Sequence, residues 1–443
     1  MKIIICGAGR VGVSISEHLS TENNDITVID SNSEALKRIT DLYDVQGVLG
    51  LSSHPAVLKN AGIEDAEMLI AVTESDEINI MACHLSNLLF NIPTKNARIR
   101  SREYLNEELL DLFQEGKIPI DHIISPEWEV ANNVFEKIHM PGAFFSESLI
   151  TENYLLIGMQ SSDLFKHQSF EEINNFFKMN NLCYIGHTFE DESFFDFKNI
   201  SKSDQLYLLT KKEYLKKLIK FFGYKDYVLD ILIIGGGNIG QNLSKLIEKD
   251  DQKINLKILE FDKDRCDFLA STLKNTSIFH GDALDQSLYD EIKLNTSDLV
   301  ITVTDNDQIN TILSIISKKR GSKSVFAVVN NESFSSFAND LGIDVIINPR
   351  ELTTSRIIEK ISEGSLLSYH SILKEKFLIY EVKYRNELFE NIKKSKEIQH
   401  MCTISKDTIH LSINDHIPVN NDVLILLIES KNSHILEKYI NDY

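Results

Sequence analysis

The chain has 443 residues, of which 42% are hydrophobic and 25% charged. At roughly 100–200 residues per domain this length accommodates two to four domains, each with its own core. A formal net charge of −20 at pH 7 opposes binding to phosphate backbones and to anionic lipid surfaces. A basic protein face suits it better, such as the Lys- and Arg-rich cytoplasmic loops of a membrane protein.

With 7 prolines and 19 glycines, no long linker or low-complexity tract is expected. The cysteines, Cys6, Cys83, Cys183, Cys266 and Cys402, show neither a CxxC nor a zinc-ligand spacing. Reduced thiols in a cytoplasmic protein are expected. The N-terminus enters a strand with no signal-peptide pattern, and no apolar run approaches the ~18–20 residues of a membrane span.

Taken in chain order, strands are expected at Lys2–Cys6, Ile26–Asp30, Gly47–Leu49, Met68–Val72 and Ala97–Ser101. Helices are expected between them, among them Ser33–Leu42 and Asp76–Phe90. After an aromatic-rich stretch of mixed spacing, 140–225, the alternation restarts. The second set of strands is Asp230–Ile234, Asn255–Glu260, Ser277–His280, Leu299–Val303 and Ser324–Val329. Apolar strands separated by helices predict parallel sheets covered on both faces.

The restart is a duplication. IIICGAGRVG at 3–12 returns as ILIIGGGNIG at 231–240, and LIAVTESDEIN at 69–79 returns as LVITVTDNDQIN at 299–310. Gly7 and Gly235 stand 228 positions apart, and Thr73 and Thr304 stand 231 apart. A near-constant offset over some seventy residues means a repeated domain. The fold class is therefore α/β, with two Rossmann-like doubly wound parallel-sheet domains (1–125 and 229–350). A small α+β domain follows each (140–225 and 365–443). Both small domains end in a strand and a helix, from Asp204 and from Asp422, and the hinge between halves is placed near Gly223–Lys225.

Each large domain carries a dinucleotide fingerprint in its required setting, after a strand and at the start of a helix. In the first loop, Gly7, Ala8, Gly9, Arg10, Val11 and Gly12, the first glycine permits the tight turn. The second lets backbone approach a pyrophosphate, and the third lets helix and strand pack closely. The helix tip offers N–H groups to phosphates. Asp30, 18 residues past Gly12, can accept from ribose hydroxyls and would repel a 2′-phosphate, which favours NAD(H) over NADP(H). The second loop, with Gly235, Gly237, Asn238, Ile239 and Gly240, has Glu260 as its acid.

The two sites differ in charge. The first has Arg10, Arg98 and Arg100 within expected reach of a phosphate. The second has Asn238, Asn330 and Asn331 at the corresponding places, so no cationic partner is expected there. The second has Asp282 where the first has Leu51 and Ser52. Thr73, Asp76 and Asn79, repeated as Thr304, Asp307 and Asn310, fall at a strand's carboxyl end, where ligands bind. The same Thr-x-x-Asp pattern also reads as a helix cap.

On these residues the chain resembles the TrkA family, the cytoplasmic nucleotide-binding subunits of bacterial Trk-type potassium uptake systems. The first half carries the resemblance in GAGRVG, the VID ending at Asp30, LSSHPAVLKNAGIEDAEMLIAVTESDEINIMAC and RIRSREYL. The second half carries it in GGGNIG, DKDRCDFLA, HGDALD, VTDNDQIN and NPRELT. It covers most of the chain, with the small domains contributing little.

The resemblance implies tandem regulator-of-potassium-conductance (RCK) domains, assembled as dimers or tetramers into a ring beneath a potassium-translocating membrane subunit. It implies binding of NAD(H), ATP or ADP, with the nucleotide shifting the ring and gating ion flow. The implied nucleotide contacts are Gly7, Gly9, Gly12, Asp30, Thr73 and Arg98, then Gly235, Gly237, Gly240, Glu260 and Asp282. At Leu51 the chain departs from the family's pattern, in a loop from which the resemblance would otherwise imply ligand contacts.

The rival class, an NAD-dependent oxidoreductase, needs a proton donor or acceptor at the sheet's carboxyl edge. His54, His84 and His280 are the candidates, and none repeats between the copies. A redox-sensing transcription factor would need a basic helix-turn-helix, and none is evident. The expectation is a regulator, not an enzyme.

Overall fold

The computed structural model describes residues 1–20, 24–101, 103–104, 112–113, 116–149, 153–161, 168–189, 192–195, 205–224, 230–250, 254–331, 341–350, 352–353, 366–372, 376–406, 408–411 and 416–441. Asp204, Lys225 and the expected second-copy boundary at 365 lie outside this set.

The first half opens with β1 (Lys2–Cys6), α1 (Arg10–Ser20), β2 (Asp25–Asp30), α2 (Ser33–Leu42), β3 (Gln46–Leu49) and α3 (Pro55–Asn60). It continues with β4 (Met68–Ala71), α4 (Asp76–Phe90), β5 (Thr94–Arg98) and β6 (His122–Ile124). The strands form one parallel sheet in the order β3-β2-β1-β4-β5-β6. The doubly wound form follows from β1. Ile3 and Ile5 enter the core beneath α1 and α2, whereas Ile4 and Cys6 enter the opposite core beneath α4. A strand buried on both faces has no polar side to alternate with.

The expected fifth strand is three residues late. Thr94–Asn96 read as polar, yet they pair with Met68–Ile70, and the Lys95 amine is buried against the Ile92 carbonyl at 2.8 Å and Asp121 at 3.1 Å. The strand ends at Arg98 because the next amides turn to Asp76, whose carboxylate accepts from Arg100 N (2.9 Å) and Ser101 N (2.6 Å). The three-residue edge strand β6 was not expected at all.

After α5 (Pro126–Ile138) come β7 (Ala143–Ser148), β8 (Tyr154–Gln160), α6 (Phe170–Met179), β9 (Cys183–Phe189), β10 (Glu192–Phe194), β11 (Gln205–Lys211) and α7 (Leu215–Phe221). These strands form an antiparallel sheet, β10-β9-β11-β8-β7. The second large unit repeats the first: β12 (Asp230–Ile234), α8 (Asn238–Lys249), β13 (Asn255–Glu260), α9 (Lys263–Thr272) and β14 (Thr276–His280). Then follow β15 (Leu299–Thr302), α10 (Asp307–Arg320), β16 (Ser324–Val328) and β17 (Val345–Ile347), in the order β14-β13-β12-β15-β16-β17. The last sheet comprises β18 (Leu366–Ile372), β19 (Phe377–Lys383), β20 (Ile398–Ser405), β21 (Thr408–His410) and β22 (Val423–Glu429). It carries α11 (Asn386–Lys394) and α12 (Ser433–Asn441) on one face.

Two packing arrangements tie the halves together. The small sheets bury their free faces against each other, with Tyr154, Leu156, Ile185 and Leu209 sharing one core with Ile379, Ile404, Ile425 and Leu427. The helix α5, which follows the first sheet in sequence, packs on the second. Its Val130, Ala131, Val134 and Ile138 join Ile231, Ile233, Leu243 and Val303 in a single core. His139, just past its end, bonds Asp250 Oδ2 at 2.9 Å.

All five thiols are buried. Burial pushes the Cys6 thiol up from 9.0 to about 12. The folded chain is expected to take up no iodoacetamide at pH 8, and five equivalents once unfolded in urea, by intact mass. A thiol whose folded pKa is raised favours the fold fully below pH 9 and loses that contribution as pH climbs toward 12. Stability should therefore fall through that window.

Candidate functional site

The glycine turns are built by local sterics. Gly7 has φ +114°, and a Cβ there would lie 3.0 Å from the Val72 carbonyl group. Gly235 has φ +109° and the same proximity to Val303. A Cβ on Gly12 would lie 1.8 Å from Gly7 O, and one on Gly240 would lie 2.1 Å from Gly235 O, so helix and turn touch through backbone. Gly9 and Gly237 differ from the other four. A Cβ on either meets nothing within 4 Å, so the middle glycine of each loop faces open space beside the start of α1 or α8. Gly237 is the N-cap of α8, and no side chain caps that end. Such a cradle, with helix-tip amides beside it, fits a pyrophosphate.

Arg10 is exposed at the first position of α1, whereas Ala8 is buried and Val11 half-buried against the core. Asn238 and Ile239 open α8, with Ile239 packed on its core.

Each acid is held by its own loop. Asp30 accepts from Ala8 N at 2.6 Å and Asn32 N at 2.7 Å. Glu260 accepts from Gly236 N at 2.5 Å and Asp262 N at 2.8 Å. One N–H per oxygen orients the carboxylate and leaves further lone pairs for ribose hydroxyls.

Strand register sets these groups in a row. Ile29 pairs with Cys6, Cys6 with Ala71, and Ala71 with Ala97, so Asp30, Gly7, Val72 and Arg98 stand level on four adjacent strands. At about 4.8 Å per strand the row spans roughly 14 Å. In the second unit the row is Glu260, Gly235, Val303 and Val328.

The comparisons bear on this arrangement. The TrkA-N domain profile matches residues 3–126 and 231–349. A protein of Azorhizobium caulinodans named Trk system potassium uptake protein TrkA is 33% identical over 378 residues, 84% of this chain and 82% of its own. A protein of the same name from Vibrio alginolyticus is 35% identical over 385 residues, 84% and 81% of the two chains. The chain belongs to the TrkA family. Among solved structures, the GsuK RCK domain superposes with a TM-score of 0.62 at 15% identity, covering 100% of this chain and 95% of that one. The GsuK channel bound to NAD gives 0.61 at 15%, covering 100% and 79%. At that identity they establish the shared RCK fold.

In this TrkA-family chain the Thr-Asp-Asn triplets have a structural task. Asn79 is fully buried. Its Oδ1 accepts from Thr73 N (2.9 Å) and Thr73 Oγ1 (2.7 Å), and its Nδ2 donates to Arg98 O (2.9 Å). Asn310 does the same for Thr304 and Val328 O. These staples hold the loop after the fourth strand of each sheet to the fifth strand. The helix caps are Ser75 and Asn306, accepting from Ile78 N and Ile309 N, so reading Thr-x-x-Asp as the cap is corrected.

The cations also sort differently from expectation. Arg100 donates to the Glu74 carbonyl and lies 4.0 Å from Asp76, whereas Arg98 lies 4.0 Å from Glu127. The residues level with Arg98 and Arg100 are Val328 and Asn330, since Asn330 N donates to Asp307 as Arg100 N does to Asp76. The expectation that the second loop lacks a cation is overturned. Arg265 on α9 donates from Nε to Gly236 O (2.7 Å) and from Nη2 to Gly237 O (3.2 Å) and Gln241 Oε1 (2.8 Å). Its guanidinium lies over the Phe268 ring at 5.0 Å. At the position matching Arg265, α2 has Ala35. The one sequence signal for Arg265 was its place in DKDRC, one turn beyond the acid. Asp282 is exposed and folded into an Asx turn, accepting from Leu284 N at 2.9 Å.

Proposed function

We propose that the chain is the nucleotide-binding regulatory subunit of a Trk-type potassium uptake system. It lies on the cytoplasmic face of the plasma membrane through a potassium-translocating partner, as a homodimer or homotetramer. The four units, 1–125, 140–225, 229–350 and 365–443, act as two tandem RCK modules. NAD(H), and ATP or ADP, seat on Gly7–Gly12 against Asp30, and on Gly235–Gly240 against Glu260. Thr73 and Thr304 lie at the edge of each site, with Asp282 at the rim of the second.

The observation that carries this reading is the open space over Gly9 and Gly237, each next to a residue whose N–H donates to an oriented acid. The relatives named as Trk system potassium uptake proteins support the potassium system. Among the histidines weighed for hydride chemistry, His54 and His84 are exposed, and His280 bonds the Phe261 carbonyl at 3.1 Å. These placements favour a regulator over an oxidoreductase.

Because α5 and the small sheets join the halves, a ligand that prefers one arrangement of a site shifts the arrangement of the whole. Nucleotide-dependent scattering profiles are expected, and identical profiles with all ligands at saturation would count against gating.

Calorimetric titration with NAD⁺, NADH, ATP and ADP tests the binding. Heat at up to two sites per chain is expected, and silence with all four overturns the reading. Asp30→Ala should weaken the first site by about 10- to 100-fold, the worth of charge-assisted bonds to ribose. The same change frees Ala8 N and Asn32 N, so it should also cost about 1–2 kcal/mol of stability. A variant binding as the parent does would remove Asp30 from the site.

A further inference from the structure

One ion pair at the first site is incompletely made. Arg98 ends β5, with its backbone carbonyl fixed by Asn79, but its side chain meets a carboxylate only loosely. Arg98 Nη2 lies 4.0 Å from Oε1 of Glu127, in the first turn of α5. Among the described residues, Arg98 Nε and Glu127 Oε2 are both buried without a hydrogen-bond partner. Arg98 is also crowded by Arg100, and its burial and that crowding both weaken its hold on the proton. Buried polar atoms left unbonded on a half-buried guanidinium and carboxylate are costly, and a better partner for either relieves the cost. The second copy lacks the pair, with Val328 in place of Arg98 and Arg350 in place of Glu127.

We propose that Arg98 is a two-position guanidinium, shared between Glu127 and a nucleotide phosphate, and that its exchange signals first-site occupancy to the second unit. The inference rests on the nucleotide reading above. Arg98 stands in the row with Asp30 and Gly7, so a phosphate over Gly9 competes with Glu127 for its donors. Glu127 belongs to the helix whose Val130, Val134 and Ile138 are part of the second unit's core. Releasing Glu127 therefore loosens the one end of α5 that the first unit holds, while its body stays with the second. The coupling is reciprocal, so strain on α5 from the second unit alters phosphate affinity at the first. Glu127 is a positioning residue in this scheme, with no contact to the ligand required.

Hydrogen exchange on the full chain, read alongside calorimetry, tests the proposal. In the parent chain, saturating ADP should raise exchange of amides in 127–131, whereas saturating adenosine, which lacks phosphate, should not. In Glu127→Gln the same amides should exchange at the ADP-bound level without ligand and respond no further. ADP affinity should rise about fivefold, as one exposed-to-half-buried ion pair allows, with adenosine affinity unchanged. The adenosine arm needs no variant, so a Glu127→Gln that fails to fold leaves the test intact. ADP heat without any change in 127–131, or an equal change with adenosine, overturns the exchange while leaving nucleotide binding standing. Absence of ADP heat overturns both.

Discussion

Gly12→Ala should cost about 3 kcal/mol of stability and abolish nucleotide heat at the first site while sparing the second. Position 12 lies inside α1, where alanine ordinarily stabilises by about 1 kcal/mol over glycine. Here the added methyl would stand 1.8 Å from Gly7 O, a distance no rotamer can relieve because the backbone fixes the position of Cβ and its neighbour is itself backbone. The clash outweighs the propensity gain and forces the turn open, at the cost typical of overpacking. Gly9→Ala is the matched control. Its methyl meets nothing within 4 Å, so stability should stay within about 0.5 kcal/mol of the parent. Its nucleotide affinity should nevertheless fall at least about tenfold, because the methyl takes the space offered to the pyrophosphate. Urea unfolding and calorimetry on the two variants separate the roles. A Gly12→Ala chain more stable than the parent would mean that α1 does not contact the turn as described. A Gly9→Ala chain that binds normally would mean that phosphate sits elsewhere.

The second large effect is expected from Val134→Asp. Val134 belongs in sequence to the segment leaving the first unit, yet it is fully buried among Ile231, Ile233, Leu243 and Val303 of the second. An unpaired carboxylate placed there should cost at least about 4 kcal/mol. The loss should appear first as faster hydrogen exchange in β12 and β15, with β1 and β4 less affected. Glu136→Ala, an exposed change on the same helix, should stay within about 0.5 kcal/mol. If Val134→Asp instead loosened the first sheet and spared the second, the crossing of α5 between units would be wrong.

How much of this was legible beforehand depends on how local each cause is. The contact of Gly12 with Gly7 O and the cradle at Gly9 lie within six consecutive residues, so the motif carried them, whereas the crowding of Gly7 comes from Val72 on the neighbouring strand. The acids followed for the same reason, because a strand's end places Asp30 and Glu260 one strand away from the turn. The burial of β1 on both faces was legible in an unbroken apolar run. The three-residue strands β6 and β17 were not, because such a short run has no period to detect. The start of β5 was missed because Lys95 reads as a surface residue, and only its pairing with Leu69 and its contact to Asp121 explain its burial.

The sequence by itself determined that two α/β units are repeated, that each carries a glycine turn faced by an acid, and which strands run through the core. Those follow from side-chain periodicity and from backbone sterics over a few residues. Tertiary structure decided where long side chains and apolar stripes end up: Arg265 on the second glycine loop, Arg100 on the Glu74 carbonyl, Arg98 between β5 and α5, Asn79 and Asn310 as staples, and α5 on the opposite unit. An arginine spans several possible partners and an apolar stripe fits any matching face. Their choice is settled by strand register and by which surface remains uncovered, and neither quantity exists until the chain has folded.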